Sequence, residues 1–175
     1  MTIYLERVLF VVAPQGFGKS TQLRAMFLDP RLGNGGKIPT HSKLPDTYSL
    51  GRERRLYLRL TSPHEYGESS AEFIRKARGK MDGGRWNFAG ALQPNAFKRM
   101  PDVVETVRRF QKAFTPERVR LAFLAPNRQG ITLDNFLPFR DLHSELQALG
   151  AEVVCVDARN REANGLLLAD FFDFT

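Results

Sequence analysis

The 175-residue chain carries a net charge of +7, is 42% hydrophobic and holds one cysteine, a composition that suits one domain and excludes an internal disulfide or a Cys-rich zinc site. No apolar run approaches the ~18 residues of a membrane span. Residues 1–7 include an acid and lack the apolar stretch and cleavage site of a secretory signal, so a cytoplasmic protein is the default expectation.

In chain order, Val8 to Val12 is a short apolar, β-branched run that predicts a fully buried parallel strand. Lys19 to Leu28 places Leu23, Met26 and Phe27 at helical spacing, and Asp29-Pro30 stops it. Arg31 to Thr47 is rich in Gly, Pro, Ser and Thr and has no period. A loop this long inside a compact domain is more often functional than idle. Thr47 to Leu50 and Leu56 to Thr61 predict two strands around a tight turn. The second alternates Leu56, Leu58 and Leu60 with Tyr57, Arg59 and Thr61, as a half-buried strand does.

Ser69 to Met81 predicts a helix with Phe73, Ile74 and Ala77 inward, ended by Gly83-Gly84. Trp86 to Leu92 is another buried run, followed by a helix over Asp102 to Phe114. Val119 to Ala125 predicts a strand and Phe136 to Leu149 a helix, with Gly150 at its C-terminal cap position. Val153 to Val156 and Ala163 to Phe172 predict the last strand and the last helix, with Cys155 as an inert core thiol. Helices between buried strands imply an α/β fold. We expect a three-layer αβα arrangement, with a mainly parallel sheet and one antiparallel edge strand.

The stretch Ala13 to Thr21 reads A-P-Q-G-F-G-K-S-T and fits a Walker A phosphate loop, with Ala13 in place of the usual first glycine. Gly16 and Gly18 let backbone N–H groups turn inward without a Cβ in the way. The helix beginning near Lys19 directs its positive end at the phosphates. Lys19 would reach the β and γ oxygens and Ser20 would offer its hydroxyl to Mg²⁺. Gln15, Phe17 and Thr21 complete the loop. The excess of positive charge suits a polyphosphate. Nucleic acid and an acidic protein are further partner classes, although the chain carries no recognisable nucleic-acid reader motif.

The element order and several short stretches resemble the small Ras-like GTPases, above all their bacterial MglA-type branch, over nearly the whole chain. Gly36-Lys37-Ile38-Pro39-Thr40 lies where that family keeps its first switch, so Thr40 or Thr47 would meet Mg²⁺. The hairpin YSLGRERRLYLRL matches the paired strands that follow. Thr61 and Pro63 match the Thr-x-Pro of the MglA-type second switch. His64 stands in place of the glycine whose N–H senses the γ-phosphate, and Glu65 in place of the glutamine that orients water. Asn127-Arg128-Gln129-Gly130 falls where the family has Asn-Lys-x-Asp. Asn127 is kept, Arg128 would stack on the base, and Gly130 replaces the aspartate that selects guanine. The Ala158 N–H would meet a base oxygen.

The resemblance implies a nucleotide-binding switch for GTP or ATP with Mg²⁺, slow hydrolysis, and a protein partner acting as regulator or effector. Lys19, Thr61, His64 and Glu65 are its candidate catalytic residues. Two alternatives stand beside it. A P-loop phosphotransferase would need a carboxylate, for which Asp46, Glu65 and Asp157 are the candidates. A pseudo-GTPase would serve only as an interaction module. His41 and His64 lie on loops that would face the phosphate, and His143 on a helix.

Overall fold

Alternate residues of the first strand, β1 (Ile3–Val12), enter two different cores. Val8, Phe10 and Val12 join one, and Leu9 and Val11 join the other, as the period of two in a pleated strand requires. Both faces are therefore apolar, which is why the segment reads as an unbroken hydrophobic run.

The computed structural model describes residues 2–41, 43–132 and 138–174. The remaining strands are β2 (Thr47–Gly51), β3 (Arg54–Arg59), β4 (Gly84–Leu92), β5 (Arg118–Leu124) and β6 (Glu152–Val156). Among the described residues they form one six-stranded sheet in the order β2-β3-β4-β1-β5-β6. Only β2 runs antiparallel, on β3 at one edge, and every other neighbouring pair is parallel.

Helices α2 (Ser70–Lys80), α3 (Val103–Phe114) and α4 (Phe139–Ala148) supply side chains to the core of one face. Helices α1 (Lys19–Ala25) and α5 (Arg161–Asp170) supply those of the other. The expected three-layer α/β arrangement with one antiparallel edge strand is the one found. The first core is aromatic: the Phe88 ring lies 5.5 Å from Phe10, 5.4 Å from Tyr57 and 5.1 Å from Phe110. The second uses Ala13, Ala89, Ala91, Ala122 and Ala158, and small residues there let α1 and α5 come close.

Caps set several helix starts. The Ser69 hydroxyl accepts from the Glu72 N–H while the Glu72 carboxylate accepts from the Ser69 N–H, closing a capping box on α2. Asp102 caps α3 by accepting from the Glu105 N–H at 2.9 Å.

The structure departs from the sequence reading in several places. Strand β1 begins at Ile3 rather than Val8, because its two charges are neutralised by distant residues. The buried Glu6 carboxylate accepts from Arg54 Nε at 2.7 Å and from Arg85, and Arg7 Nη1 donates to the Phe171 carbonyl. The helix expected over Lys19 to Leu28 is α up to Ala25 and then a 3₁₀ turn over Met26–Leu28. A second 3₁₀ turn over Pro30–Leu32 follows, capped by Asp29. Tyr57 is buried along with Leu56 and Leu58, so β3 is covered on both faces there, not one. Gly84 opens β4, paired with Ile3, instead of ending the preceding helix. Helix α4 begins at Phe139; residues 136 and 137 of the expected helix lie outside the described residues. Cys155 is exposed rather than buried, on a strand at the edge of the sheet. No described helix is long and apolar enough to cross a membrane.

Candidate functional site

The glycine loop leaves β1 at its C-terminal end, where the chain crosses to opposite faces of the sheet and ligands of open α/β folds collect. The Ala13 N–H donates to the Leu92 carbonyl at 3.2 Å and ties the loop to the end of β4. The Phe17 N–H donates to the Pro14 carbonyl at 3.3 Å across a turn in which Gly16 has φ +79°, a value that favours glycine. Gly18, at φ +89°, caps α1 with no side-chain partner for the first-turn amides. A Cβ built on Gly16 would meet nothing within 4 Å, so the turn borders open space. Phe17 packs on the second core, Gln15 and Ser20 are exposed, and Thr21 is half-buried.

Lys19 is 5% exposed. Its ammonium donates to the Pro14 carbonyl at 3.0 Å and stands 3.5 Å from Glu65 Oε1. Burial pushes the Lys19 pKa down, and the Glu65 carboxylate offsets only part of that. A buried cation with one partly exposed counter-ion is a group ready to exchange partners.

Glu65 comes from the loop after β3, a strand separated from β1 by β4. That loop is folded on itself. The Glu65 N–H donates to the Ser62 carbonyl, that of Gly67 to His64 and that of Glu68 to Pro63, each at 3.1 Å. Thr61 is half-buried and its carbonyl accepts from Arg59 Nε at 3.1 Å. The Glu68 carboxylate is buried between Arg59 Nη2 at 2.8 Å and Lys76 Nζ at 2.6 Å. Burial pushes Glu68 up, but these two cations outweigh it and hold the pKa below the ordinary value.

His64 does not face the glycine loop as a free group. It is fully buried, with Nε2 2.9 Å from the Pro101 carbonyl and Nδ1 3.1 Å from Ser62 Oγ. Its N–H, in the position expected to sense phosphate, donates to Ser62 Oγ at 3.2 Å. Burial lowers the imidazole pKa and the nearby Lys19 charge adds to the lowering, while the Pro101 carbonyl opposes them. The neutral ring is a strut joining the Glu65 loop to the segment after β4.

Sequence reasoning passed over Gln93, the residue that follows β4 on the strand next to β1. Its N–H lies 3.5 Å from His64 Nδ1, and its side-chain Nε2 is buried with no hydrogen-bond partner among the described residues. The available signal was a polar residue immediately after the apolar run Phe88 to Leu92.

On the far side of the glycine loop, Arg128 comes over Gly18: a Cβ built there would sit 3.8 Å from its Nε. Asn127 is not free for a base. Its Oδ1 accepts from the Gln129 and Ile131 N–H groups, both at 2.9 Å, and its Nδ2 donates to Gln129 Oε1. The Ala158 N–H is also taken, donating to the Pro126 carbonyl at 2.9 Å. Two of the expected base contacts are thus spent on holding their own loops. The cleft beside them, about 720 Å³, is lined by Arg128, Arg159 and Arg161 together with Ala158. A buried amide pair fixes its wall: Asn164 Nδ2 donates to Gln22 Oε1 at 3.0 Å and to the Asp157 carbonyl, and Gln22 Nε2 donates to the Ala158 carbonyl at 3.2 Å.

The three candidate acids are now distinguished. Asp46 pairs with Lys80 at 2.6 Å. Asp157 pairs with Arg159 at 2.7 Å, whose guanidinium holds its pKa down to about 2. Only Glu65 of the three reaches Lys19. Thr40 is exposed, and the loop beside it is fastened by the His41 carbonyl, which accepts from Arg24 Nη1 at 2.7 Å. His143 lies half-buried on α4, against Phe139. Among the described residues no group of three His, Cys, Asp or Glu side chains is placed to hold a metal. Ser20 hydroxyl therefore remains the protein ligand available at the loop, a donor set that fits Mg²⁺ held mostly by phosphates and water.

Comparison with family models, with curated proteins and with solved structures returns no match to this chain.

Proposed function

We propose that this chain is a nucleotide-responsive switch that binds a magnesium nucleoside triphosphate on Ala13 to Thr21, hydrolyses it slowly and signals to a protein partner. The observation that supports this most is the Lys19 ammonium, buried inside a left-handed glycine turn and paired only loosely with Glu65, 3.5 Å away. On arrival of a triphosphate, Lys19 exchanges Glu65 for phosphate oxygens. The released carboxylate then sits beside the terminal phosphate, where it orients water and takes its proton. Burial of Lys19 strengthens its attraction for phosphate by lowering the local dielectric.

Magnesium, when bound with the nucleotide, would neutralise phosphate charge, with the Ser20 hydroxyl as its protein ligand and Thr40 as the second that the family resemblance implies. The base side supports binding without guanine selection. Gly130 offers no carboxylate, Asn127 and the Ala158 N–H are engaged elsewhere, and the arginines of the cleft suit GTP and ATP alike. The loop carrying Glu65 then reports the state of the pocket, since its ion pair with Lys19 is the contact exchanged.

Titration of a fluorescent GTP and a fluorescent ATP, with and without Mg²⁺, tests the reading. Both should bind, and Lys19→Ala should weaken each by at least about a hundredfold while the fold survives. Absence of binding at millimolar nucleotide, or equal binding by Lys19→Ala, would overturn it. Phosphate transfer that begins only on adding an acceptor would point to the phosphotransferase instead.

A further inference from the structure

Two exposed aromatic rings stand on neighbouring loops at the C-terminal end of the sheet. Tyr66, in the loop after β3, is 68% exposed, and Phe97, in the turn after β4, is 46% exposed. The loops are fastened together at Gly67. Arg99 Nε donates to its carbonyl at 3.0 Å, and a Cβ built on Gly67 would lie 3.1 Å from Lys98 Cδ. Each ring has a cation beside it. The Arg59 guanidinium carbon is 5.9 Å from the Tyr66 centroid and Lys98 Nζ is 5.3 Å from that of Phe97.

A groove leads away from Tyr66 along α2, and Phe97 stands beyond its Arg99 rim. A cleft of about 740 Å³ between α2 and β3 is bordered by Lys43, Arg59, Lys76 and Lys80. It adjoins a second hollow of about 370 Å³, bordered by Arg75 and Arg99, through their shared walls Tyr66, Glu68 and Lys76. On α2, Lys76 and Lys80 are four residues apart on the same side, so they extend the cationic wall by about 6 Å. Asp46, Glu68 and Glu72 each pair with one or more of these cations. Lys43, Arg75 and Lys98 have no carboxylate within salt-bridge distance among the described residues.

We propose that this groove binds a single-stranded polynucleotide, with its phosphates along Lys43, Arg75, Lys76 and Lys80 and its bases stacked on Tyr66 and Phe97. The charge alone would suit any polyanion. The rings decide the class, because flat exposed aromatics flanked by cations offer stacking faces to unpaired bases. A run of carboxylate side chains has no flat face to stack on them, and a duplex hides its base faces. The site is separate from the glycine loop and needs no nucleotide there. Its loop nevertheless carries Glu65 next to Tyr66, which would bring an occupant within one residue of the Lys19 pair.

Fluorescence anisotropy of the full chain, free of nucleotide, with labelled dT20 and labelled rU20 tests the proposal. Labelled polyglutamate and a duplex serve as competitors. Single strands should bind, and their log Kd should change with log salt by about 0.7 per phosphate contacted. Tyr66→Ala and Phe97→Ala should each weaken binding about fivefold or more, while Tyr66→Trp restores it. Arg75→Gln and Lys43→Gln should each reduce the salt slope by about 0.7. All four positions are at the surface, and thermal melting checks that the variants fold. The arm that binds more tightly, dT20 or rU20, identifies the sugar. Failure of both strands to bind at low salt, binding unmoved by loss of either ring, or equal displacement by polyglutamate would overturn the proposal; the last would mark the groove as a dock for an acidic protein.

Discussion

Glu65 Oε1 stands 3.5 Å from Lys19 Nζ, although the two residues follow strands, β3 and β1, that are not neighbours in the sheet. The carboxylate competes for the ammonium that a phosphate would need, and it is also the group best placed to act on water. Glu65→Gln separates these effects. Loss of the competing charge should tighten triphosphate binding several-fold, whereas phosphate release should fall about 10²- to 10⁴-fold with the general base gone. Fluorescent-nucleotide titration and single-turnover phosphate release measure the two independently. A fall in both together would mean that Glu65 only organises its loop.

Gln93 gives the opposite kind of expectation. A buried amide nitrogen without a partner costs about 1–3 kcal/mol, and Gln93 Nε2 is such an atom among the described residues, on the residue after Leu92, whose carbonyl holds the Ala13 N–H. Gln93→Leu should therefore leave the melting temperature unchanged or raised. If the amide is kept for a ligand oxygen, triphosphate affinity or turnover should fall at least tenfold in the same variant. Calorimetric melting and phosphate release on one preparation decide the matter, and a stable variant with unaltered activity would remove Gln93 from the site.

The imidazole of His64 is neutral in the fold, and its pKa is lowered chiefly by burial. The unfolded chain holds a proton on this histidine below about pH 6.5, while the folded chain resists it. Stability from this group is thus complete above about pH 6.5 and declines as pH falls towards the lowered folded value. The paired carboxylates Glu6 and Glu68 have lowered folded values, so their contribution is lost only at pH below about 4.5. Urea midpoints between pH 7 and 5 should fall in the parent chain and change less in His64→Gln, which keeps a donor for the Pro101 carbonyl. Equal slopes for the two proteins would show that another group titrates.

The contrast between what the sequence tells and what it hides follows from the range of the interactions. The glycine loop, its strand and its helix were legible because Val8 to Val12, Gly16, Gly18 and Lys19 specify them locally. The apolar stripes of α2 and α3 were legible for the same reason. The start of β1 was not, since Glu6 and Arg7 look like a break until Arg54 and Phe171 arrive from 48 and 164 residues away. Asn127 read as a base contact because it matches the Asn of the Asn-Lys-x-Asp pattern that the chain resembles, yet the same amide caps its own loop. His64 read as a loop residue facing the phosphate, whereas its burial depends on Pro101, 37 residues on. Cys155 read as buried from its valine neighbours, while its exposure follows from β6 lying at the sheet edge.

Helices α1 and α5 approach each other closely at a glycine. A Cβ built on Gly165 of α5 would lie 2.1 Å from the Ala25 carbonyl oxygen and 2.4 Å from its carbon. Both are backbone atoms, so no rotamer change relieves the overlap and α5 must move off α1. Overpacking of this kind costs about 1–3 kcal/mol, or a fall of several degrees in Tm for a domain of this size. The movement also pulls on Asn164, which holds the Asp157 carbonyl, and on Gln22, which holds that of Ala158 in the wall of the arginine-lined cleft. Gly165→Ala should therefore lower nucleotide affinity along with Tm. Gly79→Ala on the exposed side of α2, where a Cβ meets nothing within 4 Å, should instead raise stability by about 0.5–1 kcal/mol and leave nucleotide binding alone. If the two glycines behaved alike, the close approach of α1 and α5 would not be what supports the cleft.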